Sequence, residues 1–133
     1  MSYDYLDDLF GENRRGRHTK YSDVEAKAAK ALADIYAGRI SYDEFYETFS
    51  AVAREFIDLC DSRFDEDTPL WLNMFSANVF LRWRDWHVLR KMHSEHPEKF
   101  GTPELEKQYA EIAENDYDGW LRSKIKYCLE NLK

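Results

Sequence analysis

Four helix-start signals constrain the fold of this chain more than any other feature. Two are Ser-x-x-Glu boxes at Ser22 and Ser41, in which each side chain satisfies a free backbone N–H of the first helical turn. The other two are Thr-Pro pairs at Thr68 and Thr102, which place a capping hydroxyl before a proline at the first helical position. Glycine and proline are otherwise scarce, and no β-hairpin signal is present. The sequence therefore predicts an all-α fold.

The apolar spacing after these signals predicts four main helices. The first covers residues 22–38 and ends at its glycine, and the second covers residues 41–64. The third, residues 70–94, is apolar on most sides, which is typical of a helix in the middle of a bundle. In the fourth, the apolar stripe changes phase at residues 115–119, which predicts a kink or a split. Short loops favour an antiparallel bundle over residues 21–133.

The first 20 residues differ from the rest and are interpreted as an N-terminal arm. Residues 3–10 combine apolar and acidic side chains in a short amphipathic pattern that ends at Gly11. A basic run follows, formed by Arg14, Arg15, Arg17, His18 and Lys20 and interrupted by a glycine. The amphipathic pattern of residues 3–10 suits binding either to another protein or to the helical bundle of the same chain.

The net charge is −7, and it is unevenly distributed. Residues 21–67 contain 12 acidic and 5 basic residues, a net charge of −7, whereas residues 68–100 contain 3 acidic and 5 basic residues, a net charge of +2. An acidic field repels phosphate backbones and attracts basic partners. The sequence therefore predicts a basic protein partner and makes nucleic-acid binding unlikely.

The second helix carries the candidate partner-binding site. Asp58, Asp61 and Asp65 have spacings of three and four, so they are expected to share one helix face. A solvated face explains the same spacing, and the run lacks the alternating ligands and central glycine of an EF-hand. The candidate partner-binding residues are Asp43, Glu47, Asp58, Asp61, Asp65, Glu66 and Asp67.

The histidines offer an alternative chemistry. His93 and His96 are three residues apart and His87 is near, so a two-histidine metal site is geometrically conceivable. However, no HExxH or Glu-x-x-His repeat is present, and His96 precedes a proline. Surface histidines at a helix end are the expectation, with no metal, no cofactor and no catalytic residue. The alternative is a helical-bundle enzyme or ligand binder that uses His87 and His93.

The segment Arg82-Trp-Arg-Asp-Trp-His87 mixes arginine with tryptophan. Aromatic and cationic side chains together can bind single-stranded nucleic acid, here jointly with the basic run of residues 14–20. Core tryptophans with arginines at the rim explain the spacing equally simply and are the preferred interpretation. Arg82 and Arg90 each lie four residues from Trp86, which predicts cation–π contacts within the helix.

Features that decide the compartment are few but consistent. Cys60 and Cys128 lie inside apolar helical patterns and are interpreted as two reduced cysteines of a cytosolic protein. The N-terminus is acidic where a secretory signal is basic, and no apolar run approaches the length of a membrane span. The expected location is the cytoplasm, without membrane attachment.

Together these features predict a small acidic protein that acts by binding another protein and is not an enzyme. The preferred form is an inhibitor or immunity-type factor that neutralises a basic toxin or nucleic-acid-directed effector. Residues 38–49 weakly resemble colicin-type immunity proteins, but most of that likeness is a generic helix start, and no family is assigned. A phage anti-defence inhibitor that mimics nucleic acid has the same composition.

Overall fold

The computed structural model describes residues 18–61 and 65–131, and within these ranges the chain is helical and has no strand. The predicted all-α fold is confirmed. Of the arm predicted for residues 1–20, only the last three residues lie within the described part. The helices are α1 (Ser22–Tyr36), α2 (Tyr42–Cys60), α3 (residues 70–95), α4 (Pro103–Ala113) and α5 (Tyr117–Asn131), and a short 3-10 helix, Pro97–Phe100, follows α3.

Two of the predicted helix starts are confirmed by their hydrogen bonds. At α2, the Ser41 hydroxyl accepts from the backbone N–H of Glu44 at 3.1 Å, and the Glu44 carboxylate accepts from the backbone N–H of Ser41 at 3.1 Å. At α4, the Thr102 hydroxyl accepts from the backbone N–H of Leu105 at 3.3 Å. Both caps form between residues three apart, so the local sequence is sufficient to specify them.

The predicted capping box at Ser22 and Glu25 is wrong, because Tyr21 occupies the capping position of α1 and no side chain caps the helix. The Thr19 hydroxyl accepts from the backbone N–H of Tyr21 at 3.1 Å, and the Ser22 hydroxyl accepts from the backbone N–H of Thr19 at 2.8 Å. Glu25 is instead buried, and its carboxylate accepts from the indole N–H of Trp71 at 3.1 Å. The Glu25 side chain, which the local pattern assigned to the cap, therefore forms a tertiary hydrogen bond instead.

The predicted cap at Thr68 is also wrong. The helix α3 begins one residue later than expected, with Pro69 at the capping position and Leu70 as its first residue. The Thr68 hydroxyl accepts from the backbone N–H of Asp65 at 2.9 Å and lies 3.3 Å from the hydroxyl of buried Tyr21. Thr68 therefore closes the preceding turn and ties it to α1.

The helix ends show one confirmed prediction and one error. After α1, Gly38 has a φ of 77°, and the backbone N–H of Arg39 donates to the carbonyl of Asp34, as in a Schellman motif. The second helix was expected to continue to residue 64, but α2 ends at Cys60 because Asp61 adopts the left-handed conformation with a φ of 48°. Asp58, Asp61 and Asp65 therefore do not share one helix face.

The split predicted in the last helical region is confirmed. α4 ends at Ala113 and α5 begins at Tyr117. The Asp116 carboxylate accepts from the backbone N–H of Gly119 at 2.9 Å, which satisfies a free donor in the first turn of α5. The phase change in the sequence therefore marks two helices.

An aromatic cluster between α2 and α3 forms the centre of the core. Phe49 lies 4.8 Å from Phe80 and 5.2 Å from Phe75 between ring centroids, and Phe45 lies 5.6 Å from Trp83. Around it pack buried residues of α1 and α5, among them Val24, Ala28, Leu32, Leu121 and Ile125. These side chains hold α1, α2, α3 and α5 around one core.

The helix α3 contains a π-helical segment, Phe75–Phe80, between the α-helical parts Leu70–Met74 and Leu81–Glu95. Two successive buried aromatic residues, Phe75 and Phe80, are five positions apart, which suits the wider turn of a π-helix. Because of this wider turn, the part of α3 that follows it still places its apolar residues in the core. As a result Trp83 and His87 are buried, with 0% and 3% of their surface exposed.

The expectation that α3 is buried on most sides is wrong. This helix carries five large apolar side chains that solvent reaches, and their exposed fractions range from 37% to 64%. These residues are Leu70, Met74, Leu81, Val88 and Met92. The helices that pack against α3 therefore leave part of its surface open to solvent.

No helix in the described ranges combines the length and the apolar character that a bilayer crossing needs. Both cysteines have free thiols; Cys60 is buried and Cys128 is partly buried.

Candidate functional site

A groove of about 1030 Å³ runs between α2 and α3. Bulky aromatic side chains beneath it separate the two helices. Its apolar wall includes Ile57 of α2 together with Leu81 and Val88 of α3. Charged residues stand beside these apolar side chains, namely Glu47, Arg54, Asp58, Arg84 and Asp85.

Two of the predicted partner-binding residues, Glu47 and Asp58, belong to this groove. Both are exposed, and neither has an ion-pair or hydrogen-bond partner for its side chain among the residues that the structure describes. Over its whole length α2 contains five acidic residues and one basic residue. This helix therefore presents unneutralised carboxylates beside an apolar surface.

The other predicted carboxylates lie away from the groove. Asp43 sits near the first turn of α2, where it contacts His87 and Lys91. Asp61, Glu66 and Asp67 lie beyond the other end of α2, and Asp65 beside them pairs with Lys20 at 3.8 Å. The predicted partner-binding residues therefore lie in three places. Glu47 and Asp58 line the groove, Asp43 lies at the start of α2, and the remaining four lie after its end.

A polar network centred on His87 joins three helices next to the groove. The Arg90 guanidinium donates to His87 Nδ1 at 2.8 Å, and His87 Nε2 lies 2.8 Å from an Asp43 carboxylate oxygen. Because arginine remains protonated and can only donate, Nδ1 is the acceptor nitrogen. Nε2 therefore carries the proton and donates it to Asp43 on α2.

The same network continues to α5 through Asp118. Arg90 donates two hydrogen bonds to the Asp118 carboxylate, at 2.7 and 3.1 Å. The indole N–H of Trp83 donates to the same carboxylate at 2.8 Å. A bidentate arginine–carboxylate pair is the geometry that fixes orientation best. The network therefore links α2 and α3 to α5.

His87 packs as a core residue, so the expectation of a surface histidine is wrong for it. Its ring stacks on Trp83 with centroids 4.7 Å apart and planes 18° apart, and it contacts Tyr46 at 5.5 Å. A sequence signal for this burial exists. Phe80, Trp83 and His87 follow one another at spacings of three and four, so they continue one apolar face.

Burial lowers the pKa of His87, and the neighbouring charge of Arg90 lowers it further, whereas the hydrogen bond that His87 donates to Asp43 raises it. The hydrogen bond from His87 in turn lowers the pKa of the Asp43 carboxyl. His87 is therefore neutral at pH 7. Since both of its ring nitrogens are already engaged, neither offers a free lone pair to act as a general base.

His93 belongs to a different cluster from His87. Its ring stacks on Tyr109 of α4 with centroids 3.8 Å apart, and its Nε2 lies 3.2 Å from a Glu106 carboxylate oxygen. Within residues 18–61 and 65–131, no group of three or more histidine, cysteine, aspartate or glutamate side chains is placed to hold a metal ion.

The neutral state of His87 predicts a specific dependence of stability on pH. An unfolded histidine takes up a proton near pH 6.5, whereas folded His87 takes one up only at lower pH. Below about pH 6.5 the unfolded chain therefore binds more protons, and the free energy of unfolding falls by up to about 1.4 kcal/mol per pH unit. Urea unfolding between about pH 5.5 and 8 measures this slope. A His87→Gln variant keeps the other histidines, so its free energy of unfolding should depend less steeply on pH than that of the unmodified protein. Equal slopes in the two proteins would contradict the neutral state assigned to His87.

The arginines of α3 do not form a continuous basic surface. Arg90 is bound to Asp118, and Arg84 pairs with Asp85 at 3.3 Å. Arg90 also lies 4.2 Å above the Trp86 ring, which confirms that predicted cation–π contact. Arg82 is exposed and makes no such contact in the described ranges, so the contact predicted for it is wrong. Arg14, Arg15 and Arg17 of the basic run lie outside the described residues.

Comparison of the chain with protein-family models, with curated proteins and with solved structures finds no match.

Proposed function

We propose that this chain is a cytoplasmic, non-enzymatic binding protein that uses the α2–α3 groove to hold a basic region of another protein. In its most specific form it is an inhibitor or immunity-type factor that neutralises a basic toxin or nucleic-acid-directed effector. One observation carries the proposal: Glu47 and Asp58, both exposed and without partners among the described residues, flank an apolar surface that includes Ile57.

Charge and apolar surface have separate roles in such a site. The carboxylates of α2 steer a basic partner towards the groove and raise the association rate. The apolar side chains supply the surface whose burial slows dissociation, and removing an apolar surface from water stabilises a complex by about 25 cal/mol per Å² before the cost of association. A partner with exposed apolar residues between lysines or arginines satisfies both requirements.

The His87 network supports this function by making the groove rigid. It links Asp43 of α2 to Arg90 of α3 and to Asp118 of α5. A preformed site binds with a smaller entropic cost than one that must be ordered by its partner. The engaged ring nitrogens of His87 favour this positioning role over the alternative of a helical-bundle enzyme.

The test is affinity capture with a charge-reversed pair. We expect Glu47→Lys with Asp58→Lys to reduce capture of the partner about tenfold, since charge reversal slows association and adds repulsion. Glu104→Lys with Glu111→Lys is the matched control, because it changes the net charge equally at two exposed carboxylates of α4. Immobilised protein captures partners from a lysate, mass spectrometry identifies them, and retention is measured from low salt to about 1 M.

Two outcomes would sink the proposed site. In the first, the groove variant and the α4 control variant both capture the partner as well as the unmodified protein does. The other is capture that does not change with salt, because screened ion pairs must weaken as ionic strength rises.

A further inference from the structure

Among the five α-helices of the described ranges, only α4 contributes no residue to the core. None of its 11 residues is buried, and none packs against the core from the outside. The chain is fixed on both sides of this helix. Before it, Phe100 is only 7% exposed, and after it, Tyr117 stacks on Trp86 with ring centroids 5.0 Å apart. The helix α4 is therefore a weakly attached segment between two anchored points.

Two residues outside α4 hold it on the bundle. In the described ranges, every ring contact and hydrogen bond from an α4 side chain to another helix goes to His93 or to Phe100. The Tyr109 ring makes both ring contacts: it stacks on His93 with planes 6° apart and meets Phe100 at 5.8 Å between centroids. The Glu106 carboxylate adds the hydrogen bond to His93 at 3.2 Å. Tyr109 is therefore the main attachment point of α4.

The length of α4 makes this attachment decisive. An isolated helix of 11 residues is marginal in water, because nucleation costs more than so few backbone hydrogen bonds return. The contacts with His93 and Phe100 therefore decide whether residues 103–113 stay helical. Because these contacts lie outside the core, losing them leaves the packing of the other helices in place, and α4 opens at a lower free energy than the whole bundle does.

Tyr109 also forms one wall of another cleft, of about 560 Å³. The other lining residues of this cleft belong to α3 and to the start of α2, and they include Asp43, His87 and Arg90 of the polar network. Among the described residues that line the α2–α3 groove, by contrast, none belongs to α4. Opening of α4 therefore removes a wall of the cleft and leaves the groove as it is.

We propose that α4 is a lid on this cleft. It unfolds and refolds locally while the other four α-helices stay packed, and the stack of Tyr109 on His93 holds it closed. In the open state, Asp43, His87 and Arg90 are accessible from the side that Tyr109 covers in the closed state. This inference does not rest on the proposed function, since the lid and the groove have no residue in common.

Amide hydrogen exchange of the full chain, followed residue by residue by NMR, tests the lid. The protection factors of the hydrogen-bonded amides in α4 should be at least roughly 100-fold lower than those in α2. Tyr109→Ala should lower the α4 factors about tenfold further and leave those of α2 unchanged. Because alanine favours a helix more than tyrosine does, such a loss comes from the missing stack. Gln108→Ala, at an exposed neighbour, is the matched control and should not lower them.

A side-chain proton in the cleft tests what the lid covers. The Nε–H of Arg90 donates to His87 Nδ1 at 3.2 Å, and in Tyr109→Ala it should lose protection together with α4. If it stays protected while α4 does not, α4 does not cover the cleft. Equal protection in α4 and α2, or a loss in Tyr109→Ala that is spread equally over all helices, overturns the lid, because α4 then opens only with the whole bundle. Tyr109→Ala should capture a basic partner as the unmodified protein does, which keeps this test separate from that of the groove.

Discussion

Replacing Trp83 with alanine is expected to lower the free energy of unfolding by about 3–5 kcal/mol. The ring is fully buried, and it contacts Phe45, Phe80 and His87 at centroid distances from 4.7 to 6.1 Å. The substitution leaves a large cavity between α2 and α3. It also removes the N–H that donates to Asp118 at 2.8 Å. Urea unfolding followed by circular dichroism measures the change.

A Trp83→Phe variant keeps an aromatic ring at this position. It loses the indole N–H and part of the ring contacts, so we expect a loss of about 2 kcal/mol, smaller than that of Trp83→Ala. If Trp83→Ala lowers the free energy of unfolding by less than about 1 kcal/mol, the ring does not hold the core as described here.

Removing the Asp118 carboxylate is expected to have the second-largest effect. An Asp118→Ala variant leaves Arg90 without its bidentate partner and leaves the Trp83 N–H without an acceptor. Breaking a fully buried pair costs about 3–5 kcal/mol. Because the side chains of Asp118 and Arg90 are each 24% exposed, solvent compensates in part and we expect about 2–3 kcal/mol.

Two variants make the Asp118 result specific. Glu114→Ala changes an exposed carboxylate just before α5 and should stay within about 0.5 kcal/mol of the unmodified protein. Combining Asp118→Ala with Trp83→Phe should cost less than the sum of the two, because both remove the same hydrogen bond. Strict additivity would show that the indole and the carboxylate do not interact.

The candidate site was only partly predictable. Glu47 and Asp58 were among the predicted partner-binding residues and do line the groove, since their charge and helical position are local properties. The common face expected for Asp58, Asp61 and Asp65 failed because one left-handed residue, Asp61, ends α2. The apolar wall of the groove was missed, because exposure depends on which neighbouring helix covers a residue and hydropathy does not record that.

The sequence by itself determined the all-α class, the split before α5 and the caps at Ser41 and Thr102, because each depends on interactions between residues about four positions apart or fewer. Only the tertiary structure decided the burial of His87 and Glu25. Asp43 and His87 are 44 residues apart in the chain, and Glu25 and Trp71 are 46 apart. Such contacts form only when helices pack, and their energy then overrides a local preference of about 1 kcal/mol, as it does for the box predicted at Ser22.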